Sequence, residues 1–204
     1  MARSPSIPEA SGRYARGADR DAINTAIATW GRAVDRREWN LIQTIFHADA
    51  IDHHGSFEGT VSQLVEWLKN RHRSILRSTH FLSPSLIEFA GGDRAVSETG
   101  CLGFQVYAPS AADGVLRRFG LSPEDGAAGQ PIEIHARVRY LDLFERREDR
   151  EWRIARRVTV FDHVEAKRNC GSEMNSLEGW TVGRRDADDP LWRIRREAGI
   201  SSIA

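Results

Sequence analysis

Only two cysteines occur in the 204-residue chain, Cys101 and Cys170. They form neither a CxxC pair nor a zinc-binding spacing, so a disulfide framework or a structural zinc does not underlie the fold. Two free thiols in a reducing cytoplasm are expected. Net charge is missing too: 29 Lys+Arg balance 29 Asp+Glu, which argues against nucleic acid or an anionic membrane as partner. No stretch approaches the roughly 20 apolar residues of a membrane helix. The opening, MARSPSIPEASGRYARG, carries arginines but no apolar segment, so no secretory signal is read there. GxGxxG, Walker, GxSxG, HxH and HExxH patterns are all absent, so no nucleotide cofactor, no serine nucleophile and no metal is expected.

What remains is a chain of one-domain length with seven histidines and six tryptophans, more than bulk structure needs. Residues 1–18, rich in Ser, Pro, Gly and Arg, read as a mobile arm. A first helix starts at Asp19 or Asp21, with Asp19 as its cap, and runs to about Arg36; Ile23, Ile27, Trp30 and Val34 make its apolar stripe. Asp35 falls at the flank of that stripe. A second short helix carries Trp39, Ile42 and Phe46, and a short strand ends at Asp52-His53-His54-Gly55. Thr60-x-x-Gln63 is a capping box opening a third helix, with Val61, Leu64, Val65, Leu68 and Ile75 buried and His72 on the same stripe as a core histidine.

From His80 the period changes to two. Strands are expected over 82–89, broken early by Pro84, then over 95–107, from 132 through Tyr140, and over 152–164. Gly100 and Gly103 are read as marks of bulges or a sharp bend. Residues 108–131 read as an inserted loop, and 165–204 as a polar tail with an amphipathic fragment around Leu191-Trp192. Helices followed by long antiparallel strands predict an α+β domain over 19–168, a strongly bent sheet around three helices, with a pocket at the mouth of the cone.

The chemistry rests on two residues. Asp35 ends a helix near the interior, and Thr79-His80 opens a strand 45 residues later. If they meet, the carboxylate fixes the imidazole tautomer and raises its basicity, which makes a general base. The bland alternatives are a satisfied core histidine and a solvent carboxylate paired with Arg36 or Arg37. Arg157 shares a strand face with Thr159, Phe161 and His163, opposite Ile154, Val158 and Val160. It either stabilises developing negative charge or forms a salt bridge with Glu145 or Asp142. His53 and His54 are adjacent, so a strand points them to opposite faces, and one of them lines the pocket. Tyr140 and His135 lie on opposite faces of their strand.

In chain order, Ala33-Val34-Asp35-Arg36-Arg37, Asp52-His53-His54-Gly55, Thr79-His80, Gly92-Asp93-x-Ala95, Arg139-Tyr140-x-Asp142 and Trp152-Arg153-Ile154-Ala155-Arg156-Arg157 resemble the SnoaL-like branch of the nuclear transport factor 2-like (NTF2-like) superfamily. The tail pattern Gly183-Arg184-Arg185 with Asp189-Pro190 is similar as well. The resemblance implies the NTF2-like cone. It maps the His–Asp pair of lyases such as bile-acid 7α-dehydratase and scytalone dehydratase onto His80 and Asp35. It matches the last-strand arginine of the dehydrochlorinases to Arg157, whereas their first-helix lysine is replaced by Trp30, which favours a larger aromatic substrate. The expectation is a cytoplasmic, cofactor-independent lyase, a homo-oligomer that the resemblance makes a trimer. It would act on a small aromatic or polycyclic alcohol with loss of water or formaldehyde. His80, Asp35 and Arg157 would be catalytic, and His53, His54, Tyr140, Trp30 and Phe161 would bind substrate. The alternatives on the same fold are a non-catalytic subunit of a ring-hydroxylating dioxygenase, an isomerase and an apolar-ligand binder.

Overall fold

The computed structural model describes residues 16–122, 129–168 and 178–200. Most of the proposed arm, part of the 108–131 insert, Cys170 and the segment 169–177 lie outside the described residues.

Helix α1, Gly17–Arg36, buries Ile23, Ile27, Trp30 and Val34, the stripe its spacing demands. It starts two residues before Asp19, and Asp19 is not its cap. The Asp19 carboxylate instead accepts from Arg146 Nη1 at 2.8 Å and Trp152 Nε1 at 2.9 Å, tying the helix start to the two central strands of the sheet. Helix α2, Trp39–Ile45, stops before Phe46, which begins strand β1, Phe46–His54. Strand β2, Phe57–Thr60, returns antiparallel through Gly55, whose φ of +66° suits glycine. The Thr60–Gln63 capping box is present: Thr60 Oγ1 accepts from the Gln63 amide while the Gln63 side chain accepts from Thr60 N. It opens helix α3, Val61–Arg71.

Strand β3, Ile75–Leu82, begins five residues before His80, so Ile75 is a strand residue and not part of the α3 stripe. Strand β4, Leu86–Ala90, is separate, because the 82–89 stretch divides around Pro84. Strand β5, Arg94–Tyr107, pairs β4 with its first half and β3 with its second. Gly100 sits at that changeover, exchanging hydrogen bonds with Ser83 rather than forming a bulge. Strands β6, Ile132–Arg146, and β7, Trp152–Arg168, complete the set.

The strands form one mixed sheet in the order β2-β1-β7-β6-β5-β3, with β1 and β7 parallel and the other pairs antiparallel. Two register shifts between β6 and β7 change the facing of β7. The first puts Ile154 on the buried face with Arg157 and Thr159, and the second turns His163 outward, both against the alternation read from sequence. Helices α1 to α3 fill the concave side of the sheet in the main core.

Two segments carry more structure than their composition announces. Residues 108–131 contain a 3-10 turn, Pro109–Ala111, and helix α4, Ala112–Arg118. Ala112, Val115 and Leu116 pack on Ile75, Tyr107, Ile132 and Ile134 as a second core. The tail carries helix α5, Pro190–Glu197, capped by Asp189, and its Arg185 is clamped inside the fold. Arg185 Nε donates to Asp35 O at 2.7 Å, Nη1 to Ile75 O at 2.8 Å, and Nη2 to Val34 O at 3.0 Å. These include last-turn carbonyls of α1 that would otherwise lack partners. Nη2 also donates to His72 Nδ1 at 2.7 Å.

Burial, then the cations Arg185 and Arg71, push the His72 imidazole down to about 2. The unfolded chain therefore takes up a proton near pH 6.5 that the folded one refuses, so stability falls as pH drops below that value. Between pH 6.5 and 5 the His72 contribution to that loss is roughly 2 kcal/mol. Replacing His72 with Asn, which keeps an acceptor for Arg185, should flatten the pH dependence of urea unfolding by about that amount.

Candidate active site

Three donors from β3 converge on the Asp35 carboxylate at the end of α1. Ser78 Oγ donates to Oδ1 at 2.7 Å, the His80 amide to Oδ2 at 2.8 Å, and His80 Nδ1 lies 2.7 Å from Oδ1. With the amide already filling one oxygen, the pairing has Nδ1 donating and leaves Nε2 as the lone-pair nitrogen. Burial pushes Asp35 upward, but the hydrogen bonds from His80 and Ser78 outweigh it and hold the carboxyl below its ordinary range. The pair is close because Gly31 lets α1 approach β3: a Cβ there would stand 3.3 Å from Leu82 Cδ1 and 3.6 Å from His80 Cβ.

His80 opens onto a small cavity. His54, Tyr140, Thr159 and Phe161 form one wall, and Cys101, Gly103, Ile134, Ala136 and Val138 another. Phe119, just beyond α4, and Arg71, at the end of α3, complete it. Gly103 pairs with His80 across β5 and β3, and its missing side chain leaves room beside the imidazole.

His54 is the inward member of the histidine pair, and His53 is exposed on the outer face, away from the cavity. Burial lowers the His54 imidazole, with Asp52 opposing the shift, so His54 is neutral near pH 7. Its Nδ1 lies 3.1 Å from Thr159 Oγ1 and 3.6 Å from Asp52 Oδ1. Burial and neighbouring Cys101 raise the Tyr140 phenol, which stays a neutral hydroxyl, and burial raises the Cys101 thiol to about 11. Trp30 does not line the cavity: it is buried behind it, against Phe46, Tyr140 and His54.

Arg157 likewise does not reach the cavity. It has no exposed surface and forms a two-pronged pair with Asp142, Nε to Oδ1 at 2.7 Å and Nη2 to Oδ2 at 2.8 Å. Asp52 stands beside Arg157 on the other neighbouring strand, so Asp52, Arg157 and Asp142 make a buried row across β1, β7 and β6. The guanidinium also lies over Trp30 and Tyr140, 4.5 Å from each ring centre. Of the two roles read from sequence, the geometry carries the salt bridge. A direct contact of Arg157 with a leaving group is not available to it.

Sequence reasoning missed Ser78, Asp52, Arg71 and Gln105. Ser78 and Asp52 were findable, since each sits two residues from a singled-out histidine and so shares its strand face. Arg71 and Gln105 had no such signal.

A curved mixed sheet around N-terminal helices, with a carboxylate–imidazole pair at the cavity wall, defines an α+β cone of the NTF2-like class. The chain matches the family described as SnoaL-like domain over residues 15–158, and it belongs to that family. Solved structures share the fold. Hexachlorocyclohexane dehydrochlorinase (LinA) type 2 superposes with a TM-score of 0.61 at 16% identity, covering 76% of this chain and 92% of its own. A Novosphingobium aromaticivorans protein named for scytalone dehydratase gives 0.56 at 14% identity, covering 76% and 96%. Another from that organism, named as an aromatic ring hydroxylase, gives 0.55 at 18%, covering 73% and 93%. Among curated proteins, none matches the chain in sequence. No helix among the described residues is long and apolar enough to cross a membrane.

The Asp142 pair is the structural keystone behind the cavity. Asp142→Ala should cost about 3–5 kcal/mol in urea unfolding, because it strands a buried guanidinium. Joint replacement, Asp142→Leu with Arg157→Met, should recover most of that loss.

Proposed function

We propose that the protein is a cofactor-independent lyase for a small aromatic or polycyclic alcohol, with His80 as the base. The observation that carries this reading is the 2.7 Å contact between Asp35 Oδ1 and His80 Nδ1, with the imidazole on the wall of a cavity lined by both apolar and polar side chains. Asp35 holds the tautomer and stabilises the imidazolium that proton abstraction creates. Clamping by Ser78 and the His80 amide keeps that carboxylate from swinging away.

Two eliminations use this machinery. In dehydration, Nε2 takes a proton from the carbon beside the carbinol, the C–H pair forms the alkene, and the C–O bond breaks. The departing hydroxide then collects the proton from the imidazolium and leaves as water. In loss of formaldehyde, Nε2 takes the hydroxyl proton of a hydroxymethyl group and the C–C bond breaks. Its electron pair forms the alkene, and the hydroxyl on the neighbouring carbon departs, taking the proton back from the imidazolium and leaving as water. In both, neutral His54 and the Tyr140 hydroxyl are the cavity groups that hold oxygen, the role first read for Arg157. Arg157 acts behind them by packing its guanidinium against the Tyr140 ring. His53 has no part in substrate binding, and Trp30 contributes by packing His54 and Tyr140. A non-catalytic subunit has no need of a carboxylate clamped by three donors behind an open imidazole, which favours the enzyme.

The protein is further proposed to self-associate, as a trimer on the family resemblance. Phe81, Leu86, Val96 and Leu102 are exposed on the convex side around β3, β4 and β5, an apolar surface suited to a second copy.

His80→Ala should lower turnover of aromatic alcohols by about 10²–10⁴-fold, read as release of water-loss product or formaldehyde, with a cooperative thermal unfolding transition showing that the variant is folded. Wild-type turnover in that variant sinks the mechanism. Sedimentation equilibrium should give a mass near three chains; a monomer removes the trimer.

A further inference from the structure

Among the side chains lining the cavity, Arg71 is the one with a permanent charge, and no carboxylate balances it. The rest of the lining is apolar or uncharged polar apart from the two histidines, and His54 is held neutral. Among the described residues, Arg71 makes no ion pair. Its Nε donates to Tyr107 Oη at 3.1 Å, and its Nη2 donates to Tyr107 Oη and to Gln105 Oε1, each at 2.9 Å. Tyr107 in turn donates to Gln105 Oε1 at 2.9 Å, and the guanidinium lies 5.3 Å from the Trp67 ring centre. Tyr107 and Gln105 are both buried. The guanidinium is therefore fixed in place by neutral acceptors and a ring face, and Nη1 has no partner among the described residues.

This arrangement contrasts with Arg157, a few strands away, whose guanidinium is paired with the Asp142 carboxylate. Here two buried side chains position the cation and leave its charge intact. A guanidinium held rigid at the cavity wall, with Nη1 free to donate, suits a carboxylate in charge. Fixing it beforehand lowers the ordering cost of binding.

We infer that the substrate carries a carboxylate, that it is an aromatic carboxylic acid, and that Arg71 binds this group while the hydroxyl-bearing carbon meets His80. This inference rests on the lyase reading for its orientation of the substrate, but its test does not depend on turnover.

The experiment measures binding of trans-stilbene-4-carboxylate and cinnamate, each against its primary amide, by titration calorimetry with the full chain. His80→Ala protein runs in parallel, so binding is read where turnover is removed. The carboxylates should bind about ten- to a hundredfold more tightly than the amides. Arg71→Gln should abolish that preference, and Arg71→Lys, which keeps the charge without the fork, should retain part of it. Thermal unfolding of both variants checks that they are folded; if Arg71→Gln is not, the Arg71→Lys and amide comparisons carry the test. Equal binding of acid and amide, no binding of either carboxylate, or a preference that survives in folded Arg71→Gln overturns the inference. A carboxylate preference together with wild-type turnover in His80→Ala would leave this inference standing and overturn the lyase mechanism instead.

Discussion

One carboxylate with three donors organises this molecule. Asp35 ends helix α1, and Ser78, the His80 amide and the His80 ring all point at it from β3. An ionised carboxylate in a partly buried position is costly unless its oxygens are filled, and here they are. The same contact locks α1 to the sheet and sets the imidazole. Stability and chemistry thus share one interaction. Gly31 supplies the close approach it needs, although a glycine inside a helix is otherwise destabilising by about 1 kcal/mol. The tail completes the arrangement, because Arg185 takes the carbonyls of Val34 and Asp35 and seals the same helix end.

Charge inside the fold is arranged in two ways. Arg157 is paired with the Asp142 carboxylate, and it is withdrawn from the cavity behind Tyr140 and Trp30. Arg71 faces the cavity with its charge uncancelled. Between the two lies His54, discharged by burial and by both cations. The cavity thus presents an imidazole at one side, neutral polar groups along the wall, and a cation at the end of α3.

Helix α1, the α3 capping box and strands β5 to β7 were legible because their hydrophobic periods and caps are local signals. Tyr140 inward and His135 outward also followed from alternation. The α4 helix was not legible, since an Ala- and Gly-rich stretch has weak periodicity and owes its burial to a ready-made apolar recess formed by Tyr107, Ile132 and Ile134. The facing of His163 and Ile154 was misread because two register shifts in β7 break the period of two. Arg157 was left between a cavity role and a salt bridge with Glu145 or Asp142, since which of them it meets depends on the register of the neighbouring strand.

By itself the sequence determined the order of helices and strands, the absence of cofactor motifs and the candidacy of Asp35 and His80, because each depends on residues near one another in the chain. Tertiary structure decided which of His53 and His54 faces inward, whether an arginine meets a carboxylate or a cavity, and that the tail belongs to the fold. Those outcomes depend on strand register and on contacts between residues up to about 150 positions apart, as between Asp35 and Arg185. No local period encodes them.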